Sequence, residues 1–131
     1  MSLVEWDDSL AIGVKLIDKQ HKELFRIINS FSERIGKEDP SFTLKVTLDS
    51  LKSYAHYHFT TEEKLLQKNR CPLHFRHQGM HAAFAGLVAK LEERQDSIDR
   101  KGLLELQAFL VDWLTTHIKK QDMPLRAYFA P

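Results

Sequence analysis

Between residues 44 and 65, Leu44, Leu48, Leu51 and Ala55 recur at spacings that alternate between four and three. That beat places side chains on one face of an α-helix and marks the face that turns to a core. The beat continues through His58 and Glu62 before it reaches Leu65. A histidine and a carboxylate therefore point into an interior that the rest of the stripe defines as apolar. Burying them unpaired costs several kcal/mol, so they need a partner. A metal ion suits both.

Three further stripes have the same helical period. Ile17, His21, Leu24, Ile28, Phe31 and Ile35 predict a helix over about 18–36, with Asp18 as its N-cap. Asp39-Pro40 opens the helix already described, which runs to about 69, with proline at its first position. Cys71-Pro72 is the next break. A helix over about 73–94 carries His77, Met80, His81, Phe84, Val88 and Leu91 inward. Asp99 caps a last helix to about 121, with Leu103, Leu106, Leu110, Leu114 and His117 inward. Met123-Pro124 stops it, because the residue before proline disfavours helix. Residues 1–17 read as an irregular N-terminal arm laid over the bundle, and Tyr128 and Phe129 as residues that dock a short C-terminal tail. Four amphipathic helices with short connections predict an all-α fold, an antiparallel up-down-up-down four-helix bundle. The 131 residues suit a single domain over 1–131 with a real core.

Composition narrows the function classes. The formal net charge of +1 points to neither a nucleic-acid nor a membrane partner. No apolar run approaches the ~18 residues of a membrane helix, so no direct insertion is expected. Met1 to Leu10 carries acidic residues and no basic stretch before an apolar run, so no signal peptide is expected either. The lone Cys71 cannot form an internal disulfide, which suits a reducing compartment, and a cytoplasmic location is the expectation. The unusual count is seven histidines.

In an antiparallel bundle, His21, His58, Glu62, His77, His81, His117 and Asp122 all fall near one end. At ~1.5 Å per residue they lie within roughly 5–16 Å of it. Five imidazoles and two carboxylates are too many for one structural zinc, which takes four ligands, and suit two ions bridged by the carboxylates. Imidazole plus carboxylate without thiolate favours iron over copper or zinc. The step from His117 to Asp122 is five residues, which on a regular helix turns the second side chain about 140° away from the first. A helix that ends at Met123-Pro124 is expected to let Asp122 turn back. His56 and His74 fall off the inward stripes. Glu63 is read as a surface residue or as a partner to a ligand, and Trp113 as core or as wall of a ligand pocket.

The runs Asp18-Lys19-Gln20-His21, His58-Phe59-Thr60-Thr61-Glu62-Glu63, His77-Gln78-Gly79-Met80-His81 with Phe84, and Trp113-Leu114-Thr115-Thr116-His117-Ile118 up to Asp122 resemble the bacteriohemerythrins, which are non-heme di-iron proteins that bind oxygen. The resemblance spans Trp6 to about Phe129. It implies that His77, His81 and His117 bind one iron and His21 and His58 the other. It also implies that Glu62 and Asp122 bridge both ions (Fe2+/Fe3+) together with an oxo or hydroxo group. Dioxygen would bind at the second iron, in a pocket lined by Leu24, Phe59, Trp113, Leu114 and Ile118. The implied role is reversible oxygen storage, transport or delivery by a monomer that is not an enzyme, with an oxygen-consuming enzyme as the receiving partner. An oxygen or redox sensor is the alternative, as is a di-iron enzyme acting on peroxide or nitric oxide. No Glu-x-x-His occurs in the chain, unlike the ferritin-like di-iron proteins.

Overall fold

The computed structural model describes residues 3–125 and 127; Tyr128 and Phe129, expected to dock the tail, lie outside the described residues. Four helices form an antiparallel up-down-up-down bundle: α1 (Lys15–Arg34), α2 (Pro40–Lys68), α3 (His74–Glu93) and α4 (Arg100–Thr115). The helix α2 lies between α1 and α3, and α4 closes the bundle against α1. Leu24, Ile28, Phe31, Leu44, Leu48, Leu51, Leu103 and Leu110 fill the middle and are almost wholly buried.

The helix ends follow from local chemistry, with one correction. The first helix begins at Lys15, three residues before the expected start, and Asp18 lies inside it. Its carboxylate accepts from the Ile12 backbone N–H at 2.8 Å, which ties the arm to the helix instead of capping it. Gly36, at φ +85°, takes the left-handed turn that ends α1, a conformation cheap only for glycine. Asp39 and Asp99 are N-caps as expected, accepting from the N–H groups of Phe42 and Gly102. The helix α2 stops without glycine. Arg70 sits at φ +50°, its N–H bonds to the Gln67 carbonyl and the Cys71 N–H to that of Leu66. Those two bonds form a Schellman end, and Cys71 packs on Leu66 beside Leu125 as the apolar contact of that motif.

Two further bonds hold the arm. Asn29 accepts from the Val4 N–H at 2.9 Å and donates to the Val4 carbonyl at 2.8 Å. Trp6 then meets Phe25 edge to face at 5.6 Å.

The end of α4 differs from the expected stop. Residues 116–122 form a π-helix, and Met123–Leu125 a short 3-10 turn. In a π-helix each N–H bonds five residues back, so residues five apart stack along the axis. This widening brings His117 and Asp122 onto one side. The expectation that the helix simply ends there was wrong in its physical cause.

Candidate metal centre

Every side chain of the sequence-derived set reaches the same place. His21 comes from α1, His58 and Glu62 from α2, His77 and His81 from α3, and His117 and Asp122 from the π-helical turn. All seven are buried, none more than 4% exposed. One ligand-type atom from each of His21, His58, Glu62, His117 and Asp122 falls within a 4.8 Å cluster.

The carboxylates organise the rings. Asp122 Oδ2 lies 2.7 Å from His21 Nε2 and 2.8 Å from His117 Nε2, while its Oδ1 lies 3.1 Å from His77 Nε2. Glu62 Oε2 lies 3.3 Å from His58 Nε2, and Oε1 lies 3.2 Å from His81 Nε2. Each carboxylate thus turns one oxygen to a ring or rings of α3 and the other to a ring or rings of the remaining elements. His117 stands with His21 and His58 here, drawn by Asp122 Oδ2, and not with the α3 pair that the resemblance assigns to it.

Aromatic rings fix three of the imidazoles. Phe59 stacks on His81 at 3.8 Å, Trp113 on His117 at 4.6 Å and Tyr54 on His58 at 5.1 Å, with ring planes within 17°. Outer nitrogens have partners too: His58 Nδ1 meets Gln20 Oε1 at 3.0 Å and His81 Nδ1 meets Glu63 Oε2 at 3.2 Å. Sequence reasoning missed Gln20, which approaches from a different helix. It left Glu63 open. Tyr54 lies one turn before His58 on the same face, so spacing held a signal for it.

The charges in the cluster are mutually dependent. Burial opposes an ionised Asp122, but His117, His21 and His58 outweigh it and hold this carboxyl well below its ordinary range. For Glu62, burial and Asp122 push up, His58 and His81 pull down, and the net shift is downward. Burial favours neutral His58, yet the two carboxylates raise it to about 9. His21 is lowered because burial outweighs its bond to Asp122, and His77 is raised because Asp122 and Glu62 outweigh its burial. Burial, with both carboxylates nearby, drives the Tyr54 phenol well above its usual value.

These residues fit a bound cation. His58 Nε2 and His117 Nε2 face one another at 3.1 Å, and Glu62 Oε2 accepts no well-formed hydrogen bond. A cation among them would take the place of the proton on His58 and accept the lone pairs of both imidazoles and of Glu62.

Of the expected pocket residues, Phe59 and Trp113 stack on imidazoles of the cluster. Leu24, Phe59, Leu114 and Ile118 are buried and Trp113 is half-buried. Leu114 and Ile118 also line a cleft of about 140 Å³ beneath Val4 and Leu10 of the arm. His56 is exposed on α2, and His74 stands at the start of α3.

Fold and site together define a helical-bundle domain whose buried cluster can hold cations. The family model described as the hemerythrin HHE cation binding domain matches residues 12–127. A bacteriohemerythrin of Clostridium acetobutylicum is 30% identical over 121 residues, covering 89% of this chain and 94% of its own. A myohemerythrin of Sipunculus nudus is 30% identical over 117 residues, covering 89% and 86%. The crystal structure of a wild-type hemerythrin superposes with a TM-score of 0.84 at 25% identity, covering 98% of this chain and 99% of that one. This chain belongs to the hemerythrin family.

Proposed function

We propose that the chain binds dioxygen reversibly at two iron ions held by His21, His58, Glu62, His77, His81, His117 and Asp122. One observation carries this reading: five buried imidazoles and two buried carboxylates share one cluster, with no cysteine in it. Imidazole with carboxylate ligation and no thiolate suits iron. Bound iron supplies the electrons that dioxygen takes up and returns.

The chain's own residues do the rest. Glu62 and Asp122, each with one oxygen toward an α3 ring and the other toward rings of the remaining elements, would help hold both ions. Leu24, Phe59, Trp113, Leu114 and Ile118 exclude water and offer no acid to cleave an O–O bond, which favours release of intact dioxygen. Gln20 and Glu63 hold protons on the outer nitrogens of His58 and His81, so that their Nε2 lone pairs face inward.

The role we infer is oxygen storage or delivery in the cytoplasm. Among the described residues no helix is long and apolar enough to cross a membrane. Metal analysis with an oxygen electrode tests the reading: the reduced protein should hold two irons and take up one dioxygen per pair. Sustained turnover of peroxide or nitric oxide beyond that of free iron would make it an enzyme instead.

A further inference from the structure

Two site histidines are held alike in shape and unlike in charge. His58 has Tyr54 against one face, Gln20 Oε1 at its outer nitrogen (3.0 Å) and Glu62 Oε2 before its inner nitrogen (3.3 Å). His81 has Phe59 against one face, Glu63 Oε2 at its outer nitrogen (3.2 Å) and Glu62 Oε1 before its inner one (3.2 Å). The two rings share the same kind of clamp, although His58 Nε2 also meets His117 Nε2 at 3.1 Å. The outer partners differ in charge, a neutral amide for His58 and a carboxylate for His81.

The direction of the amide contact follows from its neighbours. The Thr61 hydroxyl donates to the Tyr57 carbonyl at 2.7 Å, so its lone pairs are free to accept from Gln20 Nε2 at 3.1 Å. That turns the Gln20 carbonyl oxygen toward His58, where it acts only as an acceptor. His58 Nδ1 therefore donates. Glu63 as a carboxylate also only accepts, so His81 Nδ1 donates as well.

We propose that Glu63 and Gln20 are positioning residues that make the two metal positions unequal. Glu63 strengthens His81 as a donor and favours the more oxidised state of its ion, whereas Gln20 leaves the ion at His58 easier to keep reduced. An N–H bonded to a carboxylate shifts electron density toward the opposite ring nitrogen, and a neutral carbonyl does this less. The Glu63 side chain is 26% exposed, so water screens part of its charge but leaves the bond in place. His21, His77 and His117 have no hydrogen-bond partner for Nδ1 among the described residues, so the contrast lies between His81 and His58.

This inference rests on the di-iron reading, and its test separates the two. Midpoint potentials of the iron-loaded wild type, E63Q and Q20E would be taken by anaerobic titration. We expect E63Q to raise the potential and Q20E to lower it. A tenfold change in the oxidised-to-reduced ratio corresponds to about 59 mV for one electron. A role in ring placement alone would not move the two variants in opposite directions, so a common or absent shift overturns the inference and leaves the function standing. Zinc affinity, measured against a chelator, needs no iron chemistry. There E63Q should weaken binding by about 10–100-fold and Q20E should tighten it. That zinc result with a wild type that takes no iron would keep the contrast between His81 and His58 and overturn the oxygen-binding reading. Unchanged zinc affinity in E63Q would overturn the contrast itself.

Discussion

Asp122 is ringed by four imidazoles, with His21, His77 and His117 within 3.1 Å and His58 at 3.7 Å. Together with Glu62 it keeps His58 charged in the metal-free protein up to about pH 9. The ordinary value is 6.5, so the folded value is raised. The stabilisation from His58 is therefore full below about pH 6.5 and lost as pH rises through about 9. His77 is shifted the same way, whereas the lowered His21 acts below about pH 6.5, outside this window. Melting temperatures of the metal-free protein should fall across that interval, while the loaded protein changes little, because the ion takes the place of the proton. Calorimetry in two buffers of different ionisation enthalpy should show proton release on loading near pH 7. At this scale six of the seven clustered side chains could be read from the inward stripes, and Asp122 could not. The partner of His58 could not be: Gln20 lies 38 residues away on a neighbouring helix, and no periodicity reports contacts between helices. Glu63 points about 100° from Glu62 on a regular helix, which in sequence left it between solvent and site. The position of α3 is what turns it to His81.

The π-helical turn over 116–122 is the element on which the site depends most. Five-residue spacing is wrong for an α-helix and right for a π-helix, so His117 and Asp122 share one side only while the turn stays wide. An alanine inserted between Lys120 and Gln121 should turn Asp122 out of the cluster. Metal content should then fall sharply while far-ultraviolet circular dichroism still reports a helical bundle; unchanged metal content would show that the spacing is not what places Asp122. In sequence the odd spacing was visible, but its remedy was read as a helix end, because Met123-Pro124 is a strong stop. The start of α1 was misplaced for a similar reason. A good cap residue, Asp18, spends its carboxylate on Ile12 inside the first turn instead. The end of α2 was placed well, although nothing in the sequence showed that Arg70 takes the left-handed turn and recruits Cys71 as the apolar contact.

Across the whole molecule, an apolar half holds the bundle together and a polar layer at one end holds the ligands. The bundle was legible because four stripes keep one period and Asp39, Pro40 and Asp99 mark helix starts. The two halves should respond separately. Leu44 is fully buried about 20 Å along α2 from His58. Leu44→Ala should cost about 2–5 kcal/mol in urea unfolding and leave the metal content of the folded protein unchanged. Loss of metal with that substitution would mean that the core and the site are one cooperative unit. Reversible oxygen binding is decided by one optical experiment. The iron-loaded protein is reduced without air, exposed to oxygen and then purged. Near-ultraviolet and visible bands that rise with oxygen and fade on purging, over several cycles, are the expected result. Bands that rise once and persist after purging, with the iron left oxidised, would contradict it.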